Sequence, residues 1–202
     1  MKTSILLALL LPTLLSAQDI VQQEQQRPLA FPGAEGWGSH AWGGRGGRVY
    51  TVTNLNDAGE GSLRWAVEQE GARTVVFAVD GTILLQSPLR INNDSITIAG
   101  QTAPGDGICL KDYPLVVNAS DVIVRYLRVR PGDDAGKECD GAGGGKYGQH
   151  DVILDHLSVS WSVDECLSFY KTRNLTVHWC LASHSLRKSV HSKGKHGFGG
   201  IW

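Results

Sequence analysis

DVIVRYLRV (Asp121–Val129), DVILDHLSV (Asp151–Val159) and NLTVHWCLA (Asn174–Ala182) are three copies of one line. Their apolar positions superpose without a gap: Val122, Val152 and Leu175; Val124, Leu154 and Val177; Leu127, Leu157 and Cys180; Val129, Val159 and Ala182. A fainter copy, SITIAG, opens at Ser95 and puts Ile96 and Ile98 in the same register. The openings at 95, 121, 151 and 174 are 26, 30 and 23 residues apart, the spacing of repeat architectures. Each line alternates apolar and polar residues, as a strand does. Such a strand buries its face only by stacking on the next copy.

The segments between the lines are polar and rich in Gly, Asp and Asn, without helical periodicity. No Asn-Gly or Asp-Gly pair joins neighbouring copies at hairpin distance, which disfavours an antiparallel meander. A β-sandwich with chance similarity between strands is the competing architecture. Four aligned apolar positions favour an all-β, right-handed parallel β-helix with two or three short strands per coil. Ser62–Gly71 reads as a capping helix: Ser62 is the N-cap, Leu63, Ala66 and Val67 form the apolar stripe, and Gly71 stops it. The first strand is expected at TVVFAV, from Thr74. At the other end HGFGGIW (His196–Trp202) is apolar and aromatic, which leaves a strand edge unpaired and marks the β-helix as incomplete there.

Residues 1–17 read as a secretory signal, with Lys2, an apolar run Ile5–Leu15 and the small pair Ser16-Ala17. The run is too short to span a bilayer. Residues 18–29 read as a flexible Gln-rich linker, and 30–202 as one domain. The expected protein is secreted, monomeric and free of the membrane once the signal is removed. A net charge of -1 argues against a nucleic-acid partner. The spacing of Cys109, Cys139, Cys166 and Cys180 matches no zinc pattern. Cys180 shares a ladder position with leucines and should face inward. Asn93, Asn118 and Asn174 open N-x-S/T sequons, and Asn174 reads equally as a turn residue at a strand start.

The longest interruption is Pro131–Gln149, PGDDAGKECDGAGGGKYGQ. Repeat proteins carry such insertions on one face, often the binding face. Asp133, Asp134 and Glu138, taken singly, read as solvated turn carboxylates. Asp140 is different. One coil later come Asp164 and Glu165, and stacked coils bring such positions together. Carboxylates gathered this way repel unless a cation joins them, and oxygen-only ligands suit Ca²⁺. Downstream the sign flips: Arg187, Lys188, Lys193 and Lys195 crowd a segment that also holds His184, His191 and His196. An acidic cation site beside lysines fits a polyanionic sugar, with Lys188 and Lys195 as substrate-binding residues. Trp37, Trp42 and Trp161 either stack on sugar rings or cover the coil. Asp155 and His156 look like a catalytic pair, but neighbours on a strand face opposite ways and are not expected to act together. There is no G-x-S-x-G, H-E-x-x-H or phosphate loop.

Val79–Ile83 (VDGTI), SITIAGQ from Ser95, VIVRYLRVRPGD from Val122 and VILDHLSVSWSVDE from Val152 together resemble the pectate lyase superfamily. Val152–His156 is similar to its "vWiDH" signature, with Ile153 in place of tryptophan. AFPGAEGWG from Ala30 and GGRGGRVYTVTNLNDAGEGSLR from Gly43 resemble its polysaccharide lyase family 1 branch. The resemblance implies calcium-assisted β-elimination of pectate (polygalacturonate), with an arginine abstracting the C5 proton. It places Asp140 at the first-coil calcium aspartate and Asp164, with Glu165, at the next coil's acids. Ser168 stands where the family has a further acid, a departure that Glu165 would have to make good. Lys195 falls near the family's substrate-binding lysine. The family's R-x-P-x-x-R segment is missing from residues 1–202. That arginine is therefore expected beyond Trp202, and the residues at hand are expected to be an inactive part of a longer enzyme. Two other readings remain: a non-catalytic β-helix that binds cell-wall polysaccharide, and a lyase for methylated pectin or another uronide.

Overall fold

A computed structural model describes residues 27–145 and 148–202. The proposed signal and most of the linker lie outside the described residues. Among the described residues no helix is long and apolar enough to cross a membrane.

The chain winds into a β-solenoid of about five turns built from three parallel sheets. The first sheet orders β1 (Arg48–Val52), β2 (Arg73–Phe77), β5 (Ile96–Ala99), β8 (Val122–Arg125), β11 (His150–Asp155) and β14 (Arg173–His178). The second orders β4 (Leu89–Ile91), β7 (Leu115–Val117), β10 (Ala142–Gly144) and β13 (Leu167–Phe169). The third orders β3 (Gly81–Leu84), β6 (Ile108–Lys111), β9 (Leu127–Arg130), β12 (Ser158–Ser160) and β15 (Leu181–Ser183). Each coil takes one strand from each sheet, so equivalent residues stack: Val152 pairs with Val122 and Leu175, and Leu154 with Val124 and Val177. Ile96 and Ile98 pair with Val122 and Val124. These ladders fill one continuous apolar core, with Cys180 packed against it.

Each repeated line is two strands, not one. The chain turns at Tyr126, His156 and Trp179, all left-handed, with φ of 54°, 55° and 53°. The apolar spacing 122, 124, 127, 129 holds a three-residue step where the corner falls. Without a corner that step would throw Leu127 and Val129 onto the outer face; with it, all four residues point inward. Ser95, Asp121, Asp151 and Asn174 open the lines in the same left-handed conformation, with φ between 48° and 62°. Asn and Asp tolerate this region because their side chains bond locally. Asn174 acts here as a turn residue, its Nδ2 donating to Asp151 Oδ1 at 2.8 Å.

The helix α1 spans Leu63–Glu68, and Ser62 caps it by accepting from the Trp65 amide at 3.2 Å. Leu63, Ala66 and Val67 are buried in the core. Two features depart from expectation. β1 precedes the helix, so TVVFAV is the second strand. Arg73 is wholly buried and donates to the carbonyls of Val67, Gly71, Asn93 and Asp94, binding the helix end to the coil. Its apolar surroundings lower its pKa.

The segment Ala30–Gly47 crosses the outer face of the first sheet and covers Ile123 and Ile153 with Ala30, Ala34 and Ala41. Gly38 donates to Thr176 Oγ1 at 2.8 Å, and a Cβ there would run into the Val152 carbonyl. At the far end, Phe198, Gly199 and Ile201 carbonyls accept from Cys166, Leu167 and Phe169 amides at 3.0–3.1 Å. HGFGGIW therefore lies along β13.

Candidate metal centre and groove

Asp140 sits two residues before Ala142 of β10, and Glu165 two residues before Leu167 of β13. Ala142 pairs with Leu167, so the coil stack sets the two acids side by side. The Gly141 amide donates to the Glu165 carbonyl at 2.9 Å, and the Glu165 amide to Asp140 Oδ1 at 3.3 Å. Asp164 completes the group: one carboxylate oxygen from each of the three lies within 4.8 Å of the others. Residues 24 and 25 positions apart in sequence thus meet on one flank.

The group is electrostatically frustrated without a cation. Burial, then the neighbouring Glu165 and Asp164 carboxylates, push the Asp140 pKa up to about 7. An all-oxygen donor set of three acids fits Ca²⁺, which takes six to eight oxygens. Ser168 is not part of it. Its hydroxyl is buried and accepts from the Ile201 amide at 3.0 Å. Glu165 is the acid that the second coil contributes beside Asp164.

A groove of about 460 Å³ runs from Asp140 across the outer face of the second sheet. It is lined by Arg90, Val116, Asn118, Gly143, Tyr170 and Lys171, among others. Arg90, Val116, Gly143 and Ser168 are successive rungs of one outward ladder. Gly143 leaves the floor bare; a Cβ there would run into the Ser168 carbonyl. The groove therefore presents the Asp140 carboxylate and, among the described residues, two cations, Arg90 and Lys171.

The structure redistributes several sequence-based assignments. Lys188 and Lys195 are both exposed, on the segment after β15, and neither lines the groove. Asp133, Asp134 and Glu138 are tied down rather than merely solvated. Asp134 pairs with Lys111 Nζ at 2.7 Å, Asp133 accepts from Ser189 Oγ at 2.8 Å, and Glu138 accepts from the Ser192 amide at 2.6 Å. The Asp133 and Glu138 contacts clasp the 131–141 loop to the 186–197 segment. Trp37, Trp42 and Trp161 stay exposed away from the groove. Arg90 had a usable signal, as the polar centre of Leu-Arg-Ile between two inward residues. Tyr170 and Lys171 had none, because only the pairing of β13 sets where they fall.

Asp155 and His156 do not face opposite ways as strand neighbours were expected to; they are in contact. β11 ends at Asp155 and His156 takes the left-handed corner, which returns its ring to the carboxylate at Nδ1–Oδ1 2.7 Å. Arg125 Nε lies 2.6 Å from Asp155 Oδ2, and His178 Nε2 3.2 Å from Oδ1. Asp155 is fully buried, and Arg125 is sandwiched against Phe31 at 3.6 Å. With its charge already matched by Arg125, this carboxylate serves to pin three coils together.

No family model matches the chain. A probable pectate lyase C of Emericella nidulans is 49% identical over 170 residues, 82% of this chain and 38% of that one. Its namesake in Aspergillus flavus is 46% identical over 170 residues, 82% and 39% of the two chains. Probable pectate lyase 4 of Arabidopsis thaliana is 32% identical over 134 residues, 63% and 35%. The chain spans about two fifths of the length of the curated relatives it matches. Among solved structures, jun a 1, the major allergen from cedar pollen, superposes with a TM-score of 0.61 at 23% identity, over 70% of this chain and 46% of that one. That likeness is one of fold.

Proposed function

Because the chain belongs to the pectate lyase superfamily, we propose that it acts on pectate, with Asp140, Asp164 and Glu165 holding Ca²⁺ and the groove on the second sheet taking the polyuronate chain. The observation that carries this reading is the acid trio, whose Asp140 also lines the groove that Arg90 and Lys171 line. Bound calcium would neutralise a uronate carboxylate and so acidify the neighbouring C5 proton. Arg90 and Lys171 are placed to hold further carboxylates of the same chain as charge-assisted donors. Lys188 and Lys195 stand on the exposed segment after β15 and serve at most the rim of such a complex. Residues 1–202 contain no R-x-P-x-x-R segment. We therefore assign cation and substrate binding to these residues and proton abstraction to none of them. The segment 1–17 supports secretion, and the near-neutral charge supports a carbohydrate rather than a nucleic-acid partner.

The test is polygalacturonate with and without calcium, following affinity and the ultraviolet absorbance of unsaturated product. Affinity that requires calcium and is lost with Asp140→Asn supports the reading. Binding and elimination that ignore chelator would sink it and favour a pectin lyase, whose methylated substrate has no charge to bridge.

A further inference from the structure

We propose that His191, His196 and Asp164 form a second cation site, one that takes a divalent ion of the zinc class rather than calcium. It goes beyond the calcium reading and shares one residue with it. One ligand atom from each of the three residues lies within 4.8 Å of the others. His196 Nε2 is 2.9 Å from Asp164 Oδ1, and His191 Nε2 is 3.4 Å from Oδ2. The Oδ1 atom is buried and has no aligned hydrogen bond despite that short approach. The two imidazoles lie with ring centroids 3.9 Å apart, and His191 is buried. Glu138 Oε2 lies 3.7 Å from His191 Nε2, outside the group of three.

The donor chemistry separates this group from its neighbour. Asp140, Asp164 and Glu165 offer only oxygen, which suits a hard cation. Two imidazoles and a carboxylate suit zinc and its relatives, and three protein ligands leave a fourth position open. The segment that brings the histidines in is braced on both sides. His196 donates its amide to the Arg187 carbonyl at 2.9 Å, Leu186 to Ser162 at 2.7 Å, and Ser192 to Glu138 at 2.6 Å. Phe198 packs edge-on against His196 with centroids 4.7 Å apart. His191 Nδ1 accepts from the Lys193 amide at 3.1 Å, which fixes the ring with Nε2 towards Asp164.

The experiment is titration calorimetry on the full 202-residue chain, stripped with chelator, using zinc chloride alone and calcium chloride alone. It is repeated on His191→Gln, His196→Gln and Asp140→Asn, with circular dichroism to check folding. The unaltered chain should bind zinc more tightly than calcium. Replacing either histidine should weaken zinc by at least roughly the tenfold that outer-shell changes already cost, leaving calcium affinity unchanged. Should the buried His191 variant fail to fold, the more exposed His196→Gln decides the matter. Co²⁺ in place of zinc should give intense visible bands that His196→Gln abolishes. Absence of zinc binding, or zinc affinity unmoved by His196→Gln, would overturn the proposal. Calcium affinity unmoved by Asp140→Asn would instead sink the calcium reading and leave this one standing.

Discussion

Asp155 is fully buried, and among the described residues its charge partners are Arg125, His156 and His178. Asp155→Ala would leave the Arg125 guanidinium with no counter-charge on a largely buried site. Breaking such a pair costs about 3–5 kcal/mol, and the urea midpoint should fall accordingly while the groove keeps its shape. Asp140 makes the opposite case, a carboxylate held where ionising is costly. Its pKa rises from 3.8 unfolded to about 7 folded. The native state therefore keeps a proton that the unfolded state has lost. The penalty is absent below about 3.8 and complete above about 7. The chelated chain should melt at falling temperature as pH rises across that window. Asp140→Asn should flatten the slope, and calcium at neutral pH should restore the melting temperature. A slope unchanged in Asp140→Asn would mean that another group carries it.

At the scale of elements, the helix and the outer segment offer direct tests. Ser62→Ala removes the acceptor for the Trp65 amide and should cost about 1 kcal/mol, read from thermal unfolding. Gly38→Ala sets a methyl against the Val152 carbonyl, so the 30–47 segment must lift from the first sheet. Limited proteolysis should then cut within that segment before the coils unfold. The coils themselves were legible in the sequence, because identical positions of a stacked repeat must pair and the ladder Val122–Val152–Leu175 does. The corner inside each line was written there too, in the three-residue step from Val124 to Leu127. It is hard to read because aromatic side chains rarely mark left-handed backbone; Tyr126 and Trp179 adopt it under the pull of the buried residues on both sides. The acid trio was legible for the same reason as the ladders: coil spacing predicts neighbours. The histidines and Lys171 were not, since their places depend on how two loops clasp and where β13 ends.

For the whole molecule, the polarity of the groove sets the expectation. Arg90→Ala and Lys171→Ala should each weaken polygalacturonate binding severalfold, and the loss should shrink as salt rises, because charge drives it. Calcium affinity should be unaffected by either change. Equal binding by a neutral galactan would refute the electrostatic reading of the groove.

One architectural feature bears on how such a chain can diversify. The bend from the second sheet back to the first is nearly fixed, at 92–95, 118–121 and 170–172, and the bend from the first sheet to the third tightens in the later turns to Tyr126 alone between β8 and β9 and His156-Leu157 between β11 and β12. The third bend, from Pro131 to Gly141, swells without disturbing a single rung on either side. That margin of the spool has slack. Foreign peptides grafted between Gly132 and Lys137 should be carried as passengers, whereas the same cargo spliced in at Tyr126 would throw every later winding out of phase.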